Sequence, residues 1–450
     1  MENTVSKENR LGTMPIKRLV ISMALPIMVS MLVQAVYGIL DGIFVSYISI
    51  EAFTAVSLAT PLQSFMIALS VGTAVGVNAL LSRRLGEKRF EDANRVANNG
   101  LFLALLSSMI FTTIGILFSR AYFEMQTDNK EIIELGTVYL ELCSIGSFGT
   151  FCQVMVERLL QATGKPRLSM ITQITGSVID AILDPLLIFG IWIFPNMGIA
   201  GAAVSTMIGQ GAAIALGLYF NIAKNNDIKL KFEWLIPNWR VITRIYYYGF
   251  PSIIAQSIFS VMVYVVNAVL LGFSDLAVAV FGIYFNLQGM IFMPVFGLIN
   301  GMLAILSYNY GAGNRKRVVD TFKFGATCAI SIMAVGALLF ELIPALIISI
   351  YDSDAAVLAI GIPAMRIISL GFIFAGFTFV CGTTFQALGN SKYSMITSLT
   401  RQVIFLIPAV YLMSLTRDLN AVWAAFPIAE VLSAALAGFL LLRYYKKTFV

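Results

Sequence analysis

The sequence contains no histidine, and only 12% of its 450 residues are charged, where a soluble chain carries about 25%. Without imidazole there is no histidine general acid or base, no histidine metal ligand and no histidine-held haem. The four cysteines, Cys143, Cys152, Cys328 and Cys381, are scattered through apolar segments without metal-type spacing. They read as small buried hydrophobes, not as a disulfide framework. No polar stretch is long enough to build a soluble domain. A secreted or cytosolic enzyme is thereby excluded, and no cofactor is expected.

What the chain has instead is apolar length. Apolar residues make up 58% of it, the mean hydropathy is +0.85, and apolar runs of about 20 residues or more recur, the length of a membrane-spanning helix. Spans are expected near 18–48, 52–82, 94–119, 131–155, 166–192 and 198–222, then near 241–272, 276–308, 318–343, 355–381, 391–415 and 419–442. This is an all-α polytopic membrane protein with twelve transmembrane helices. The charged opening stretch, Met1 to Arg18, precedes an apolar run too long for a signal-peptide core, so the N-terminus is expected to be retained.

Charge placement tests the count. With both termini cytoplasmic, only Arg120, Lys130 and Arg417 of the 30 lysines and arginines fall outside, and Arg366 and Arg401 fall within spans. All the others, from Lys7 and Arg10 through the Arg83–Arg95 group to Lys447, lie on the inner side. Short loops of a plasma-membrane protein show this bias. It also accounts for the net charge of +6 without nucleic-acid binding; the partner is the lipid bilayer, and a monomer is expected.

The chain is also a tandem repeat. A shift by half the chain's length pairs Gln161-Ala-Thr-Gly164 and Ser169-Met-Ile-Thr172 with Gln386-Ala-Leu-Gly389 and Ser394-Met-Ile-Thr397. The same shift pairs Pro26 with Pro251, Gln63 with Gln288, Gly72 and Gly76 with Gly297 and Gly301, and Ser82 and Gly86 with Ser307 and Gly311. Two halves are expected, an N-terminal lobe at 1–225 and a C-terminal lobe at 226–450, joined by the polar stretch Asn225 to Asn238. Six spans is an even number, so the two six-helix lobes are parallel repeats, the plan of transporters that alternate access around a site between lobes.

Carboxylates in a bilayer are costly, by about 2.5–3.5 kcal/mol on insertion scales, and mark function. Asp41 lies well inside the first span, and Asp180 and Asp184 lie one helical turn apart in the fifth. So close together in low dielectric, such groups share a proton or coordinate a hard cation such as Na⁺. Pro26 and Pro185 each free a backbone carbonyl and allow their helices to bend. The second half has valine at 266 where the first has Asp41; Glu430 is its best acid, and the basic Arg366 and Arg401 are expected to be buried and able to pair with it. Aromatic and Met-rich stretches suit a pliable cavity for amphipathic cations, with Gln34, Tyr37, Tyr284, Asn286, Gln288, Phe292 and Met293 as its candidate region.

These motifs taken together resemble one family. Ala24-Leu-Pro26, Tyr37-Gly-Ile-Leu-Asp41, Gly72-Thr-Ala-Val-Gly76-Val-Asn78, Gln161-Ala-Thr-Gly164, Ile182-Leu-Asp184-Pro185, Gly201-Ala-Ala203 with Thr206, and Pro427-Ile-Ala-Glu430 are similar to those of multidrug and toxic compound extrusion (MATE) transporters. The resemblance covers nearly the whole chain and lies nearest the DinF-like branch. It implies export of amphipathic, often cationic compounds in exchange for H⁺ or Na⁺, with a first-lobe ion site at Asp41, Asp184 and Thr206. Asp180 departs from the pattern, since that position is commonly asparagine in the branch. A flippase for lipid-linked sugars shares the fold and is the second reading. An intramembrane aspartyl enzyme built on Asp41 with Asp180 or Asp184 is the distant third, with a passive channel beside it.

Overall fold

The computed structural model describes residues 9–231 and 234–449; Lys7, counted above with the inner charges, lies outside them. Among the described residues, eleven helices are long and apolar enough to cross a membrane. They are α1 (Ile16–Ser46), α2 (Ile50–Gly86), α3 (Phe90–Glu124), α4 (Lys130–Ala162), α5 (Pro166–Phe189), α6 (Ile199–Lys224), α7 (Trp239–Leu271), α8 (Asp275–Gly311), α9 (Arg315–Leu342), α11 (Ser391–Ser414) and α12 (Leu419–Tyr444). The remaining span, α10, is a pair of helices, Ala355–Ser369 and Phe372–Ala387, bent by 47°. The chain is thus the expected twelve-span helical protein. Helices are the only open-ended way for a chain in lipid to satisfy its own backbone N–H and C=O groups.

The repeat is visible in the details of packing. Ser49 caps α2 by accepting from the Ala52 N–H at 3.0 Å, and Ser274, its counterpart in the second half, caps α8 from Ala277 at 3.1 Å. Ser82 donates to the Ala162 carbonyl and Ser307 to that of Ala387. Gly164 and Gly389 end equivalent helices with φ of 81° and 79°, a conformation glycine adopts freely. The Gln161 motif proves structural: its side chain accepts from Arg158 and donates to Ser169, both at 3.0 Å, tying the end of α4 to the start of α5.

Compactness divides the chain in a way the repeat alone does not. One unit comprises Met1–Thr13 and Val29–Ile253; the other comprises Met14–Met28 and Ile254–Val450. The first part of α1 therefore groups with the second half of the sequence, and the first part of α7 with the first half. The crossings follow Pro26 and Pro251, and both prolines sit inside unbroken helices.

The polar connection after α6 is pinned to the first unit by side chains that imitate a backbone partner. Asn94, Asn98 and Asn99 of α3 accept from the backbone N–H groups of Lys229, Lys231 and Asn238, and Asn98 also donates to the Lys229 carbonyl. Lys165 adds an ion pair to Asp227 at 2.9 Å. These asparagines thereby satisfy backbone groups of Lys229, Lys231 and Asn238 that lie outside the long helices.

Close helix approach depends on glycine where α2 meets α7. A Cβ on Gly76 would stand 2.2 Å from the Ile245 carbonyl oxygen, whereas one on its counterpart Gly301 would stand 3.0 Å from the Ala24 nitrogen. Gly76→Ala is expected to cost about 2–3 kcal/mol through overpacking and Gly301→Ala about 1 kcal/mol or less. Gly211→Ala, with nothing within 4 Å, should gain up to about 1 kcal/mol from helix propensity. Thermal unfolding of the three variants in detergent checks the order.

Candidate functional site

In the first unit α5 and α6 touch through their backbones. A Cβ on Gly176 would lie 3.0 Å from the Gly209 carbonyl oxygen, and one on Gly209 would lie 2.9 Å from Asp180 Cβ. This contact lays the hydroxyls of α6 on the carboxylates of α5. Ser205 Oγ donates to Asp184 Oδ1. From α1, Tyr37 Oη donates to Asp184 Oδ2 at 3.5 Å and stands 3.4 Å from Thr206 Oγ1. Tyr37 and Asp41 are one helical turn apart and share a face, so Asp41 comes to the same place, its carboxyl group within hydrogen-bond reach of that of Asp184.

Burial makes this arrangement demanding. Asp184 and Ser205 are 0% exposed and Asp180 5%, while Asp41 is half-buried. Asp41 Oδ1 and Asp180 Oδ1 are buried and accept no hydrogen bond from any described residue. Two unit charges about 4 Å apart repel by about 4 kcal/mol in protein-like surroundings, and two carboxylates have no donor to offer each other. A proton or another cation must accompany the group. Among the described residues no three acidic or cysteine side chains are arranged to hold a metal ion.

The helix runs through Asp184-Pro185 to Phe189 and ends on Gly190 with φ of 68°, so these carboxylates belong to the body of the span. Asp41, Asp180, Asp184 and Thr206 come together here, joined by Tyr37 from among the cavity candidates. Ser205, whose hydroxyl makes the Asp184 contact, was missed. Its signal was the small-residue run from Gly201 to Thr206, which permits close packing and carries adjacent hydroxyls. Gln34 is exposed and accepts from Gln173 at 3.0 Å.

The other cavity candidates lie on α8 in the second unit. Tyr284 and Phe292 are buried at 1% and 7% exposure within an aromatic cluster that includes Phe281, Phe340, Phe372 and Trp423. Gln288 and Met293 are half-buried, and Asn286 is exposed and donates to its own helix at Gly282. Glu430 is clasped by Arg401, whose Nε donates to Oε1 and Oε2 at 2.8 and 3.0 Å and whose Nη2 donates to Oε1 at 2.6 Å. Arg401 lies in a π-helical stretch, Thr400–Leu406, and its guanidinium lies 4.5 Å over the Phe379 ring. Arg366, expected to be buried, is exposed; it reaches the Glu341 carbonyl at 3.3 Å.

Against known proteins, the sequence profile of the family described as MatE matches residues 26–186 and again 251–412. The chain belongs to the MATE family. The two matches begin at Pro26 and Pro251, the pair that the half-length shift aligns, so the family's own unit is the repeat. The Multidrug export protein MepA of Staphylococcus haemolyticus is 25% identical over 421 residues, covering 93% of this chain and 91% of its own. That of Staphylococcus aureus strain RF122 is 24% identical over 433 residues, covering 94% and 93%. Among solved structures, a multidrug resistance MATE family transporter in an outward-facing conformation superimposes with a TM-score of 0.92 at 23% identity, over 98% of this chain and 99% of that one. Membership makes this MATE protein a membrane transporter, not an enzyme, and removes the aspartyl-hydrolase reading.

The Arg401–Glu430 pair is mostly buried, at 17% and 16% side-chain exposure. Removing one partner strands the other charge. Arg401→Ala is expected to lower stability by about 3 kcal/mol, whereas Arg401→Met combined with Glu430→Leu should recover most of the loss. Thermal unfolding in detergent distinguishes this structural role from a role in transport.

Proposed function

We propose that this MATE protein is a proton-coupled multidrug exporter that moves amphipathic, mainly cationic compounds out of the cell by alternating access. The MepA relatives, named as multidrug export proteins and matched across nearly their whole length, support the substrate class. The observation that carries the coupling is the Asp41–Asp184 juxtaposition, with Ser205 and Tyr37 donating to Asp184. Hydroxyl donors and a facing carboxyl suit a shared proton, and donors that occupy the Asp184 oxygens compete with Na⁺ for the same lone pairs. Asp180 supplies a third acid, and Thr206 orients Tyr37.

The halves 1–225 and 226–450 act as the two lobes, in the plasma membrane with both termini cytoplasmic, as the charge bias implies; the chain works as a monomer. Protonation of the aspartate group repacks α1 and α5 around Pro26 and Pro185 and releases the drug outward, after which the lobes rock inward and the proton leaves. Drug and proton then weaken each other's binding by the same factor. The lipid-linked sugar flippase is the less favoured reading, because a cavity for such anions needs free cations: Arg401 is paired and Arg366 is exposed.

In proteoliposomes, a fluorescent cationic dye should be exported under an imposed pH gradient and not under an imposed Na⁺ gradient. Asp41→Asn and Asp184→Asn should each abolish that export while leaving the unfolding temperature near wild type. Transport driven by Na⁺ alone would reassign the ion, and undiminished export by Asp41→Asn would remove Asp41 from the site.

A further inference from the structure

A second concentration of charge lies at the end of α2, away from the aspartates. A pocket of about 560 Å³ is lined by Arg83, Arg84, Arg89 and Arg244 with Glu87 and Tyr248, within the size range of small-ligand sites. Glu87 holds two of the guanidinium groups in place, accepting from Arg83 Nε at 2.9 Å and from Arg84 Nη1 at 2.5 Å. Arg83 Nη1 also donates to the Tyr248 hydroxyl on α7 at 2.7 Å, and Arg89 pairs with Asp92 at 2.7 Å. Arg244, one turn before Tyr248, is exposed and makes no hydrogen bond or ion pair to any described residue. Burial raises the Glu87 carboxyl, but the two arginine hydrogen bonds outweigh it and hold the group below its ordinary value. The acid therefore stays ionised as a clamp, and the pocket keeps an excess of positive charge.

The repeat supplies a comparison inside the same molecule. The half-length shift carries Arg83, Arg84, Glu87 and Arg89 onto Tyr308, Asn309, Ala312 and Asn314. The same helix end and turn are thus built without any of these four charges. The turn itself is strained in the first half alone. Lys88 has φ of 58°, and the matching residue is Gly313 with φ of 71°. A left-handed side-chain residue kept where glycine serves its twin marks a local constraint of the kind found at functional sites. Loop topology asks for cations on one side, but it does not ask for a carboxylate that aligns two of them, a tyrosine from a second helix, or a pocket between.

The geometry points to a binding site for a phosphate-bearing anion in the pocket of Arg83, Arg84, Arg89 and Arg244. Guanidinium groups bind phosphate oxygens through paired N–H donors. The pocket stands where two membrane-spanning helices end, so the phosphate is either that of an anionic phospholipid headgroup or that of a soluble phosphate ester. Arg83 and Arg84 form the pre-set wall, and Arg89 and Arg244 close on the ligand.

Delipidated full-length protein in neutral detergent, titrated by native mass spectrometry with dioleoylphosphatidylglycerol, dioleoylphosphatidylcholine or glycerol 1-phosphate, tests the site. Wild type is expected to bind phosphatidylglycerol about tenfold more tightly than phosphatidylcholine. The double variant Arg89→Gln, Arg244→Gln should lose that preference while unfolding at the wild-type temperature, and Arg244→Lys should keep part of it. Competition by glycerol 1-phosphate would show that the phosphate ester suffices and that a soluble ligand serves; its failure alongside a phosphatidylglycerol preference would assign a lipid. Equal binding of both lipids by wild type with no binding of glycerol 1-phosphate would overturn the site. So would a phosphatidylglycerol preference unchanged in the double variant.

Discussion

Two carboxyl groups facing each other inside a membrane-spanning unit set the terms for everything around them. Asp41 and Asp184 cannot both be bare anions at such range in a low-dielectric setting, and the neighbouring side chains are arranged for one of them to be accompanied. Ser205 and Tyr37 donate to Asp184. The helix contact that brings Ser205 there depends on Gly176 and Gly209, which leave no room for a Cβ between α5 and α6. Thus backbone packing, hydroxyl placement and the charge state of the acids form one chain of dependence, and the proposed exchange of proton for drug uses its last link.

The molecule makes one fold twice and charges the two copies differently. Caps, glycine-ended helices and serine-to-carbonyl bonds recur at the half-length offset. The chemistry does not recur. Where the first half has Asp41 the second has Val266, and Glu430 in the second unit is paired with Arg401 beside an aromatic ring. A duplicated scaffold provides two similar frames, and only one of them carries the aspartate group. The arginine pocket at Arg83 to Arg89 follows the same logic at the helix ends.

Most of the fold was legible from the sequence because membrane helices announce themselves by length and apolarity and because an ungapped repeat checks itself. The division into units was not legible. Pro26 and Pro251 were visible as bend points, but nothing local says that the first stretch of α1 packs with the other half. Within the site, the aspartates stood out because charge in an apolar run is rare. Ser205 did not stand out, since a serine in a helix more often bonds its own backbone, as Ser205 also does at Ala202. Glu430, expected to be able to pair with a buried arginine, does so with Arg401, since polarity in a span marks either function or a satisfied pair. Only side-chain partners separate the two.

The most direct test of the coupling account is proton release on drug binding. Purified protein in weakly buffered detergent solution is mixed with a cationic dye, and the protons liberated are counted by pH indicator against the dye bound. The account predicts that dye binding expels up to about one proton per molecule, and that Asp41→Asn binds the dye without release. Dye binding by wild type with no proton released would contradict it.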